Sequence, residues 1–139
     1  MTKYKFNVHI PSPQINVTSE KEENVCFGFS DLQELSYCEA ENDSKFFITF
    51  LSRLKKYCEL TWQQIYSTHK HGIGGSETLQ INELSAKARN KIPAGIDKLL
   101  VLRTDGANHP FLGYRKGNMF QIVFIEYTFG DIYFHGKKK

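Results

Sequence analysis

The last third of the chain most narrows the folds open to it. Four apolar segments follow one another there, 98–104, 109–115, 119–127 and 131–135. They are separated only by Asp105-Gly106-Ala107-Asn108, Lys116-Gly117-Asn118 and Thr128-Phe129-Gly130. The segments are rich in β-branched and aromatic residues, and the breaks carry the Gly, Asn and Asp that turns require. Strands joined by connections this short pair with their sequence neighbours in antiparallel fashion. The pattern predicts a four-stranded antiparallel meander.

Loop length then sets the register. It places Thr104 opposite His109, Arg115 opposite Met119, and Tyr127 opposite Ile132 or its neighbour. In that register one face carries Arg103, Tyr114, Glu126, Tyr133 and His135 toward the strand ends. Val101, Leu112, Phe120, Ile122 and Phe124 fill its middle. The opposite face carries Leu100, Leu102, Val123, Ile125, Ile132 and Phe134 and is expected to hold the helices. A slip of one residue would move a whole strand's side chains across the sheet.

Two to three helices are expected upstream. Phe46, Phe47, Phe50, Leu51, Leu54, Tyr57 and Cys58 recur at helical spacing, with Asn42 or Asp43 as the cap. Thr61-Trp62-Gln63-Gln64 fits a capping box and predicts a second helix from Trp62, with Trp62, Ile65 and Tyr66 inward. Ile81, Leu84, Ala88 and Ile92 suggest a third amphipathic stretch, for which Asn82 or Ser85 would cap a later start. Near the N-terminus, Tyr4, Phe6, Val8 and Ile10 alternate with polar residues as in a half-buried strand, which Pro11 and Pro13 stop. Residues 25–29 read as a second short strand, and 30–42 as an irregular acidic connection. The whole is a single α+β domain over residues 1–139: N-terminal strands, then helices packed on a C-terminal meander.

Composition agrees. Of 139 residues, 40% are apolar and 14% aromatic, enough for one aromatic-rich core. The formal net charge is +3, and the Lys137–Lys139 tail accounts for all of it. The body of the chain thus lacks the basic excess of a dedicated nucleic-acid binder. No run is long and apolar enough for a membrane span or a signal peptide. Three cysteines, Cys26, Cys38 and Cys58, lie near apolar residues without a CxxC, so buried reduced thiols and a cytoplasmic location are expected.

The polar end of the first sheet face carries the most chemistry. Arg103 and Arg115 can hold phosphate by paired hydrogen bonds, and Tyr114 can stack on a base or orient a phosphate. His135 can move a proton near neutral pH, Tyr133 can orient or stack, and Glu126 can act as a base. Such a set would support RNA cleavage by the RNA's own 2′-hydroxyl, with no metal and no cofactor. The plainer alternative is amphipathic residues at strand ends, with Arg103 and Glu126 as a cross-strand ion pair. Weaker signals lie elsewhere. His69 and His71 invite a zinc reading but lack a third and fourth ligand, and a surface loop at a helix end is the preferred account of them. Gly72-Ile73-Gly74-Gly75-Ser76 lacks the Lys of a phosphate-binding loop and reads as a flexible turn.

The order of strand, helices and meander, with Arg103 on the first meander strand and Tyr133 and His135 on the last, resembles the RelE/ParE-type toxins of bacterial toxin–antitoxin systems. The resemblance spans residues 43–135, and the N-terminal strands and the 11–42 connection depart from it. It implies a toxin-like RNA-binding protein, an endoribonuclease, with an antitoxin as partner. The segments Thr61-Trp62-Gln63-Gln64, His69-x-His71 and Gly113-Tyr114-Arg115 also resemble small uncharacterised bacterial proteins. A different class of function stays open: a non-enzymatic module, homodimeric or partner-binding, since both sheet faces carry an apolar load.

Overall fold

The computed structural model describes residues 23–68 and 76–135. The expected strand over 4–10, the His69/His71 pair, the glycine run at 72–75 and the lysine tail lie outside them. Among the described residues no helix is long and apolar enough to cross a membrane.

The meander forms with three strands. These are β3 (Lys98–Arg103), β4 (Pro110–Lys116) and β5 (Met119–Ile125). A strand at each edge completes a five-stranded mixed sheet in the order β1-β5-β4-β3-β2. β1 (Cys26–Gly28) runs parallel to β5, and β2 (Glu77–Gln80) runs antiparallel to β3. The expected fourth meander strand is absent. Residues 131–135 instead lie over one face of the sheet, and their bridge, Tyr133 to Leu84, is to a residue outside its strands. β1 has taken the place beside β5 that the segment was expected to fill.

The β3–β4 register is the expected one: Arg103 pairs with Pro110, and the Thr104 amide donates to the His109 carbonyl at 2.7 Å. The β4–β5 register is not. The loop is two residues, Gly117-Asn118, so Lys116 rather than Arg115 faces Met119. Gly117 has φ +64°, a conformation that glycine adopts without the Cβ clash of other residues. Further along the same hairpin, the register shifts between Leu112 and Gly113, leaving Val123 as the extra residue of a bulge. The bulge divides β5 between two faces. Phe120 and Ile122 join Leu102 and Phe111 in the first core, whereas Val123 and Phe124 join Val101 and Leu112 in the second. The expected grouping of Phe120, Ile122 and Phe124 on one face, and of Val123 with Ile125 on the other, is corrected by that one residue.

The first core lies under α1 (Ser44–Tyr57) and α2 (Trp62–Ser67). Asp43, not Asn42, caps α1 by accepting from the Phe46 amide at 3.1 Å. Phe46, Phe50, Leu54 and Tyr57 form its buried stripe, while Leu51 and Cys58 face solvent. The Thr61–Gln64 capping box is present in both directions. Trp62 and Ile65 are fully buried, but Tyr66 is half exposed. The third amphipathic stretch is a 3-10 turn, Ile81–Glu83, followed by one turn of α3 (Ala86–Arg89), capped by Ser85. Its Leu84 and Ala88 cover the second face together with Ile132 and Tyr133. Both faces are therefore closed by the chain itself, and Phe134 is exposed rather than inward. All three cysteines are exposed, contrary to the buried thiols expected; Cys58 follows the last residue of α1 as its C-cap.

Candidate functional site

The turn between β3 and β4 builds one half of the site. Asp105 folds the turn by accepting from the amides of Ala107 and His109, both at 3.1 Å. Its other carboxylate oxygen lies 2.9 Å from His109 Nδ1. An ionised carboxylate only accepts, so the pairing places the proton on Nδ1 and leaves Nε2 as the nitrogen for exchange. The His109 ring stacks on Phe129 with centroids 4.7 Å apart and lies parallel to Tyr127 at 6.1 Å. An open groove of about 440 Å³ adjoins it, with Lys45 and Thr49 of α1 on its wall.

The end of β5 builds the other half. Glu126 is fully buried, and its Oε2 accepts from the amides of Ile132 at 2.7 Å and Tyr133 at 3.2 Å. Its Oε1 is paired with His135 Nε2. These three contacts fold 131–135 back over the sheet. The His135 ring packs on Tyr133 at 4.1 Å and meets Phe129 edge-on at 5.2 Å. One half-exposed phenyl ring, Phe129, therefore touches both imidazoles, and each imidazole is held by its own carboxylate.

Arg103 braces this arrangement from within. It is buried; its Nη1 donates to the Tyr133 hydroxyl at 3.3 Å and its Nη2 to Glu77 at 2.8 Å. The ion pair is with Glu77, not with Glu126 as expected. Burial pushes the Tyr133 hydroxyl above its ordinary range, although Arg103 acts in the opposite direction, so Tyr133 stays a neutral phenol.

Of the expected site residues, Arg103, Glu126, Tyr133 and His135 come together. Tyr114 shares their face, but its hydroxyl donates to Asp31, and that bond raises its pKa. Arg115 lies on the opposite face, with its guanidinium 4.8 Å above the Trp62 ring. Asp105, His109 and Phe129 were not among the expected site residues. The signal for them was present: a meander that sets Thr104 opposite His109 brings the start of β4 to the end of β5, where the Glu126 amide donates to the Pro110 carbonyl at 3.0 Å. Among the described residues no group of three or more His, Cys, Asp or Glu is arranged to hold a metal ion. No family model, curated protein or solved structure matches this chain.

Proposed function

We propose that the protein binds RNA and cleaves it in the manner of a metal-independent endoribonuclease, the activity that the toxin resemblance also implies. The supporting observation is the pair of carboxylate-held imidazoles, His109 and His135, on one phenyl ring. Cleavage by an internal hydroxyl needs one base and one acid. A neutral imidazole takes the proton of the 2′-hydroxyl, and the oxygen forms a bond to the adjacent phosphorus. The bond from phosphorus to the 5′-oxygen breaks, and the other imidazole, protonated, delivers a proton to that oxygen. The products are a 2′,3′-cyclic phosphate and a 5′-hydroxyl.

In this reading Glu126 and Asp105 orient the two rings, and Tyr133 positions His135. Lys45 supplies a cation for the phosphate, a role that the burial of Arg103 removes from it. Incubation with a labelled RNA tests the proposal. The wild type should leave 2′,3′-cyclic ends, and His109→Ala or His135→Ala should each lower the rate by about 10²-fold or more. Undiminished cleavage by a folded double variant would overturn it. Induction in bacterial cells should arrest growth with the wild type and not with the double variant.

A second reading, a partner-binding module, is favoured by Ile48 and Leu51, both exposed and on one side of α1. Concentration-dependent dimers in sedimentation, abolished by Leu51→Lys, would support it.

A further inference from the structure

A second chemically equipped surface lies at the far end of the sheet. Arg115 lies near the end of β4, six residues from His109, so at ~3.3 Å per strand residue the two stand roughly 20 Å apart. The Arg115 guanidinium is exposed yet fixed in place. Its Nε donates to the Gly117 carbonyl at 2.7 Å and its Nη1 reaches the Tyr66 hydroxyl at 3.4 Å. It lies 4.8 Å from the Trp62 ring and 5.9 Å from the Tyr66 ring. Trp62 is buried, but Tyr66 is 51% exposed, the largest aromatic surface on either helix. Two grooves, of about 410 and 380 Å³, meet at the Tyr66–Arg115 pair. Lys98 and Asp97 stand on the wall of the second.

We infer that the Tyr66–Arg115 groove is a binding site for single-stranded RNA, with a base stacked on Tyr66 and the neighbouring phosphate on Arg115. A stacking ring beside a pinned guanidinium is the equipment that sequence-tolerant single-strand binding uses. The bidentate geometry of arginine suits a phosphodiester, and Lys98 extends the positive wall. An acidic peptide would use the same cations, but it has no need of the exposed ring; Asp97 repels either anion and does not choose between them. The site deepens the reading of the protein as RNA-cleaving, since it gives a long substrate a second foothold away from the histidines. Binding here does not itself require cleavage.

Fluorescence anisotropy with a labelled 12-nucleotide RNA on the His109→Ala/His135→Ala protein tests this. Adding Tyr66→Ala or Arg115→Ala should weaken binding about tenfold, the usual effect of losing one stacked base. Tyr66→Phe should bind as before, because the ring remains. Lys98→Ala, remote from Trp62, should weaken binding in a protein whose fold is not in question, and its salt dependence should be shallower. Equal loss in Tyr66→Phe and Tyr66→Ala would overturn the stacking role. Competition by poly-glutamate as effective as that by unlabelled RNA would overturn the ligand class in favour of a protein partner.

The two readings fail separately. RNA binding that depends on Tyr66 and Arg115, without cleavage by the wild type, would sink the histidine mechanism and keep this site. Cleavage by the wild type, with binding indifferent to Tyr66, Arg115 and Lys98, would do the reverse. Where both hold, Arg115→Ala should slow cleavage of the 12-nucleotide RNA but not of a dinucleotide, which is too short to reach both places.

Discussion

Ser36 shows how much of the candidate site rests on a single residue outside it. Its backbone has φ +77° and ψ −62°, and the Tyr37 amide donates to the Leu35 carbonyl at 3.0 Å, which closes a γ-turn of the rare, strained kind. The Ser36 hydroxyl donates to Asp131 at 2.6 Å and accepts from the Tyr127 amide at 2.8 Å. It thereby holds both ends of the turn that carries Phe129 between the two histidines. Ser36→Ala keeps the strain and loses the hydroxyl, and should cost about 2 kcal/mol in urea unfolding. Ser36→Gly also loses the hydroxyl but relaxes the backbone, so it should cost less. The opposite order would show that the strain account is wrong.

Asp43 gives a residue-scale prediction with pH. The Tyr127 hydroxyl and then the Phe46 amide donate to its carboxylate and lower its pKa below the ordinary 3.8. A carboxylate whose folded pKa is depressed adds stability that is fully present above the unfolded value. That stability is lost as pH falls through the lower, folded value. Asp43→Asn should therefore lower the melting temperature most at neutral pH and converge with the wild type as pH falls below about 4, where the wild type loses the same contribution.

At the scale of elements, the β4–β5 hairpin determines which side chains meet. A Cβ on Gly113 would stand 1.9 Å from the Gln121 carbonyl oxygen, so β5 approaches β4 there more closely than any other residue permits. The close approach lies beside the bulge that sends Val123 and Phe124 to the second core. Gly113→Ala should destabilise the protein by about 3 kcal/mol or more, because the obstacle is backbone and cannot rotate away. If its midpoint in urea falls by less than that of Ser36→Ala, the bulge accommodates the methyl group and the register is less fixed than this geometry implies. The two helices need less adjustment: the Thr61–Gln64 box forms as read, and the apolar stripe of α1 forms but narrows to Phe46, Phe50, Leu54 and Tyr57.

Across the whole molecule, the sheet is buried on both faces by elements of unequal kind. α1 and α2 cover one side with an aromatic core, while short turns and the 131–135 segment cover the other. Glu126 closes that second side by accepting two amides and pairing with His135. Glu126→Ala should cost about 3 kcal/mol or more, as expected when one member of a buried, hydrogen-bonded pair is removed. Hydrogen exchange should show the loss first at the Ile132 and Tyr133 amides. Retained protection there would mean that apolar packing, not Glu126, holds the segment down.

The sequence by itself determined the α+β class, the two helices with their caps, the three hairpin-linked strands, and the β3–β4 register. Each follows from interactions between residues close in the chain: apolar periodicity, side-chain caps and short turns. It also grouped Arg103, Glu126, Tyr133 and His135, but through a fourth strand that does not form. The tertiary structure alone decided the rest. β1 took the edge beside β5, which displaced 131–135 from the sheet; the Val123 bulge divided β5 between two cores; and Glu77, from a distant strand, claimed Arg103. These outcomes depend on competition between segments far apart in the chain for the same sheet edge or the same buried charge. Neither propensity nor spacing records which competitor is the more stable. The hairpin that carries His109 was legible, but its meeting with His135 through Phe129 depends on the displaced 131–135 segment, which Glu126 folds back.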